Sequence, residues 1–128
     1  MDLLRLPFAG AEDSASMRRR TAELLAGEPV EVVQDVLLVI TELVDNVVQH
    51  TDGGGELHLA RDDHAVHLEV YDQSRAFPQL QRRDPRRAGG RGLQLVAAIA
   101  ETWGSRPTPT GKVVWAEVTT PEPVRPAC

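Results

Sequence analysis

Cysteine is all but absent from this sequence: the one thiol is Cys128, so no disulfide can form within the chain. A domain without disulfides has to be held by an apolar core, and a reducing compartment suits it. Long apolar runs are absent as well. None approaches the ~18 consecutive residues that a membrane-spanning helix needs, and Asp2 and Arg5 break up the start where a secretory signal would lie. The expectation is a cytoplasmic protein with no membrane contact. Aromatic residues make up only 4% of the chain, so the core has to be aliphatic. Positive charge is in deficit too: a net charge of −5 argues against direct nucleic-acid binding, which needs a positive surface facing phosphates. One segment departs from that balance. "RRDPRRAGGR" (82–91) sets five arginines against one aspartate, a pattern that suits a solvated loop, phosphates or an acidic partner.

What is present suffices for a single domain, since 128 residues at 41% hydrophobic content can bury a core without staples. "LLRLPF" (3–8) reads as a strand and residues 12–26 as a helix stopped by Gly27 and Pro29. From Glu31 to His50, Val33, Val36, Leu37, Ile40, Leu43, Val44 and Val47 recur at helical spacing, and "TDGGG" (51–55) ends the run. Segments 56–61 and 65–72 alternate apolar and polar residues around a short turn, as a hairpin does. Residues 73–90 read as a long mobile loop, 91–103 as a third helix with Leu93, Val96, Ala97 and Ala100 on one face, and 112–118 as a closing strand. That order predicts an α+β fold: a two-layer sandwich with a mixed, mostly antiparallel sheet covered on one face by three helices. The domain is expected over residues 1–120, with 121–128 as a flexible tail.

Three polar features sit where the apolar pattern should simply continue. Glu42, Asp45, Asn46, Gln49 and His50 form one arc of the second helix, opposite the apolar stripe. Any solvated helix face would look the same, but Leu38 and Val39 share the arc one turn earlier, so it is not uniformly polar. Asp72 has the strand parity of Val66, Leu68 and Val70, which aims a carboxylate to the core side, where it needs a donor from a backbone turn or a ligand. "GGRGL" (89–93) places glycines on both sides of Arg91 at a helix start, where free amides attract anions. Other chemistries find little support. His64 and His67 fall on opposite faces of the hairpin and do not make a zinc set. "TPTGKV" (108–113) has Gly-Lys without the rest of a phosphate-binding loop.

Taken in order, Glu42-x-x-x-Asn46-x-x-x-His50, Asp72, Gly90-x-Gly92-Leu93, "WG" (103–104) and "GKVVW" (111–115) resemble the GHKL (Bergerat-fold) ATPases, in particular their anti-sigma-factor serine-kinase branch. The resemblance spans residues 3 to 119. It implies ATP and Mg²⁺ as ligands, with the Asn46 amide oxygen on the metal and Glu42 as general base toward an attacking serine. It also implies that Asp72 accepts from the adenine amino group and thereby disfavours guanine. Gly90, Arg91, Gly92 and Leu93 would hold phosphates, His50 and Ser74 would line the nucleotide site, and residues 75–88 would form a lid. The sequence departs from the family where Gln73, Ser74, Arg75 and Ala76 replace the first glycine box, and at Val113, where relatives carry threonine. The implied partners are a sigma factor and an anti-sigma antagonist that carries the acceptor serine; a homodimer is left open. A non-catalytic, nucleotide-dependent protein-binding module on the same fold is the alternative reading.

Overall fold

The computed structural model describes residues 1–50, 54–73 and 92–121. The expected loop and lid from residue 74 onward, and all but the first residue of the expected tail, lie outside the described residues. Strand β1 (Asp2–Phe8) leads through a short 3-10 turn (Ala11–Asp13) into helix α1 (Ser14–Leu24) and then helix α2 (Val30–His50). Strands β2 (Gly55–Arg61) and β3 (Ala65–Asp72) form a hairpin, and helix α3 (Gly92–Ile99) precedes a second hairpin, β4 (Thr102–Thr108) and β5 (Gly111–Thr119).

The strands form one sheet in the order β1-β2-β3-β5-β4. Each of the four pairings is antiparallel. The helices pack over one face, giving the expected α+β two-layer arrangement. The sheet thus consists of two hairpins zipped together through β3 and β5, with β1 added along β2.

Helix α2 holds the layers together because its apolar residues recur at three- and four-residue steps. Val32, Val36, Val39, Ile40, Leu43, Val44 and Val47 are all buried. Two expectations for this helix need correction. Val39, expected on the polar arc, is only 1% exposed and belongs to the core, whereas Leu38 does remain on the surface at 44%. Val33 and Leu37, expected in the stripe, are half-buried at its margin. Helix α1 contributes Ser14, Met17 and Thr21 to the interior and leaves Arg18, Arg19 and Arg20 exposed. Beneath the helices, Leu57 and Leu59 of β2, Val66, Leu68 and Val70 of β3, and Val114, Ala116 and Val118 of β5 complete the aliphatic core.

The third helix is shorter than its periodicity suggested, ending at Ile99 rather than Trp103. The Ala100 amide makes the last helical bond, to Val96, and the next amide, that of Glu101, already donates to the Glu117 carbonyl of β5. Residues 102–108 therefore form an edge strand that the sequence reading did not anticipate. Trp103 is half-buried against the core, and Ala97, expected on the buried face of α3, is exposed.

Candidate functional site

The site begins with a cross-strand row. Phe8 of β1 stands opposite Gly55, Gly55 opposite Asp72, Asp72 opposite Lys112, and Lys112 opposite Pro107. Helix α2 ends at His50, five residues before Gly55, so the chain leaves its C-terminal end for this same end of the sheet. Two glycines let the backbones close up there. A Cβ on Gly55 would stand 2.2 Å from the Tyr71 carbonyl oxygen, and one on Gly111 would stand 2.0 Å from that of Asp72. Only a residue without a side chain permits such an approach. Gly111 therefore brings the start of β5 against the end of β3.

Asp72 is where the parity argument placed it, on the helix-covered face and only 4% exposed. Its charged neighbour is Lys112, itself 5% exposed. Lys112 Nζ donates to Asp72 Oδ1 at 3.2 Å and lies 3.1 Å from Oδ2, so the ammonium straddles both carboxylate oxygens. Burying either charge alone would be prohibitive, and pairing is what makes both tolerable. Sequence reasoning missed Lys112. The signal was present, because Lys112 shares the inward parity of Val114, Ala116 and Val118, but the Val113-Val114 doublet blurred the alternation. Lys112 is also the lysine of the failed phosphate-loop match, and here it faces a carboxylate. Val113, where relatives carry threonine, pairs with Tyr71 and points to the opposite face from Asp72, so a hydroxyl there would not face Asp72.

On α2, Glu42 and Asn46 are half-buried one turn apart, with Asp45 half-buried and Gln49 exposed. These side chains flank the buried stripe of the half of α2 that leads into the β2 end of the sheet. The polar arc is therefore only partly solvated. At the other end of the expected ligand, Gly92 is the first residue of α3 and Leu93 lies in its first turn. The Leu93 side chain is buried in the core, which leaves its backbone amide as the group able to meet an anion. Ser74, Gly90, Arg91 and the His50 side chain lie outside the described residues.

The open face of the sheet carries a different set of groups. The rings of His58 and Tyr71 stack with centroids 4.5 Å apart, and Arg106 pairs with Glu69 at 2.8 Å. Burial and the neighbouring Glu69 push the Tyr71 hydroxyl above its usual pKa, and the hydrogen bond to Glu69 holds the Arg106 guanidinium more firmly protonated. His67 lies between Asp62 and Glu117, with Nδ1 3.3 Å from the latter. Among the described residues no group of three or more histidine, cysteine, aspartate or glutamate side chains is placed to hold a metal ion. No described helix is long and apolar enough to cross a membrane.

A helix-covered antiparallel sheet, with a buried carboxylate at one end and a half-buried carboxylate and amide on the covering helix, defines an α+β domain. The chain belongs to the histidine-kinase-like ATPase domain family, whose model matches residues 9–118. A search among curated proteins gives no significant match. Membership implies ATP binding of the GHKL type, and the residues fit an adenine nucleotide at the base end. Asp72 supplies a buried acceptor, and Asn46 is half-buried on α2.

Proposed function

We propose that this protein is an ATP-dependent protein serine kinase of the anti-sigma type, binding a sigma factor and phosphorylating a serine of an antagonist protein. The observation that carries this reading is the pair Glu42 and Asn46, half-buried one turn apart on α2, in a fold that also buries the Asp72 carboxylate at the end of β3. Asp72 takes the base of ATP. The Asn46 amide oxygen is the protein's ligand for Mg²⁺, which supplies charge neutralisation at the phosphates. Glu42 takes the proton of the incoming seryl hydroxyl as its oxygen bonds to the terminal phosphorus. The bond from that phosphorus to the bridging oxygen breaks, and the electron pair leaves with ADP. Half-burial serves Glu42 in this role, since a base has to be shielded from bulk water yet reachable by a partner's side chain.

A second reading is favoured by Lys112. A carboxylate already holding an ammonium offers a nucleotide fewer free lone pairs, which suits a module that uses its pocket to set the shape of a partner-binding surface rather than to turn over ATP. Incubating the protein with labelled ATP and candidate antagonists separates the two. Under the kinase reading, Glu42→Gln keeps nucleotide and partner binding while transfer falls by about 10²- to 10⁴-fold. Asn46→Ala loses both Mg-dependent ATP binding and transfer. Transfer by Glu42→Gln at the wild-type rate removes Glu42 from the chemistry. Nucleotide-dependent partner capture without any transfer establishes the module.

A further inference from the structure

We propose that the outer stripe of α2 around Leu38 docks the protein segment that carries the acceptor serine, and that it fits an apolar side chain flanked by lysine or arginine. This inference rests on the reading of Glu42 as the base toward a partner's serine. Glu31, Asp35, Leu38, Glu42 and Asp45 follow one another at alternating steps of four and three residues, which puts them on one side of the helix. None of the five is buried. Four are acidic, and the 21 residues of α2 include no lysine or arginine. Among the described residues, no ion pair joins Glu31, Asp35 or Asp45 to a cation. The stripe is therefore a negative surface that the described part of the chain does not neutralise.

Leu38 stands at the centre of that stripe and is 44% exposed. The core does not need it, because the adjacent Val39 and Ile40 are the buried residues of that turn. An apolar side chain with acids one and two turns away on both sides has the layout of a contact centre, where an apolar anchor sits inside a charged rim. Its distance from the base then sets what the partner carries. Leu38 and Glu42 are about 6 Å apart along the helix axis at 1.5 Å per residue, and an extended chain covers roughly 3.3 Å per residue. A segment whose serine reaches Glu42 therefore sets over Leu38 the side chain about two positions away. Asp35 and Glu31 continue the stripe beyond Leu38, and Asp45 continues it beyond Glu42. Complementary cations thus fall on both flanks of the segment, where they fix its register and speed its arrival.

The test uses the full chain and synthetic peptides with a single serine. One peptide has leucine two positions to either side of the serine and arginines at both ends; a second replaces the arginines by glutamate, and a third replaces the leucines by glycine. Capture is read by fluorescence anisotropy in the presence of Mg-ADP, and transfer by label from Mg-ATP. The arginine–leucine peptide should have a KM at least about tenfold below the other two. Leu38→Ala should raise that KM by about tenfold with kcat nearly unchanged. Asp35→Lys should shift the preference toward the glutamate peptide, a reversal that a merely structural role would not produce, with circular dichroism confirming the fold of both variants. Transfer with a KM indifferent to the flanking charge, or unchanged by Leu38→Ala, overturns the docking surface and leaves the kinase reading standing. Capture that Leu38→Ala weakens, without transfer, supports the docking surface and overturns the kinase reading. Neither capture nor transfer of any peptide overturns this inference, while Mg-ATP isotherms on the same protein report separately on the nucleotide site.

Discussion

Removing one partner of a buried ion pair leaves the other charged and unsolvated, at roughly 3–5 kcal/mol. The side chains of Asp72 and Lys112 are exposed to only 0% and 6%. Asp72→Leu and Lys112→Met should each lower the unfolding free energy by about that amount. Replacing both by apolar residues of similar volume, Asp72→Leu with Lys112→Met, should recover most of the loss. Urea denaturation of the four proteins closes the double-mutant cycle, and additive losses would show that the two charges are not coupled. The same cycle separates stability from recognition: the apolar double variant should be folded and yet bind no nucleotide base. At this scale the sequence was half legible. Asp72 could be placed because the three residues sharing its parity are all apolar, whereas Lys112 was hidden by adjacent valines that look the same from either face.

Helix α2 tests the packing argument directly, because neighbouring positions on it have opposite environments. Leu43 is 1% exposed, and Leu43→Ala should cost about 2–5 kcal/mol by leaving a cavity in the aliphatic core. Leu38 is 44% exposed, and Leu38→Ala should change stability by less than about 0.5 kcal/mol. At the start of β5, Gly111→Ala forces a methyl onto the Asp72 carbonyl and should cost about 1–3 kcal/mol. It should also weaken nucleotide binding, because it pushes Lys112 away from its partner. Thermal melts and binding isotherms read both effects. The helices and the first hairpin were legible because their periodicities are clean. Strand β4 was not, since Gly104 and Pro107 are poor strand formers and its pairing depends on β5. As an edge strand it tolerates that proline, and Gly104 leaves room for the Trp115 ring, which a Cβ would approach to 2.8 Å.

Among the described residues, the β2–β3 turn makes one contribution to stability that acid removes. The Asp62 carboxylate accepts from the backbone amides of His64 at 2.7 Å and Ala65 at 2.9 Å, and from the His67 ring. These bonds hold it well below the ordinary carboxylate value of 3.8. A group whose folded pKa is depressed contributes stability that is complete above its unfolded value and is lost as the pH falls below it. Asp62→Asn should therefore melt at lower temperature than the wild type near neutrality, with the gap closing as the pH falls below 3.8. Melts followed by circular dichroism at stepped pH check this, and a gap independent of pH would remove the charge from the explanation.

The zipper between the two hairpins also has a kinetic meaning. Each hairpin is local, but Asp72 and Lys112 meet across 40 residues of chain, so their pairing waits on a large loop closure whose entropy has to be met before the contact stabilises anything. Any ligand gripped by both residues finds its binding surface only after the hairpins have joined. Its stabilisation should therefore appear as slower unfolding, with the refolding rate nearly unchanged.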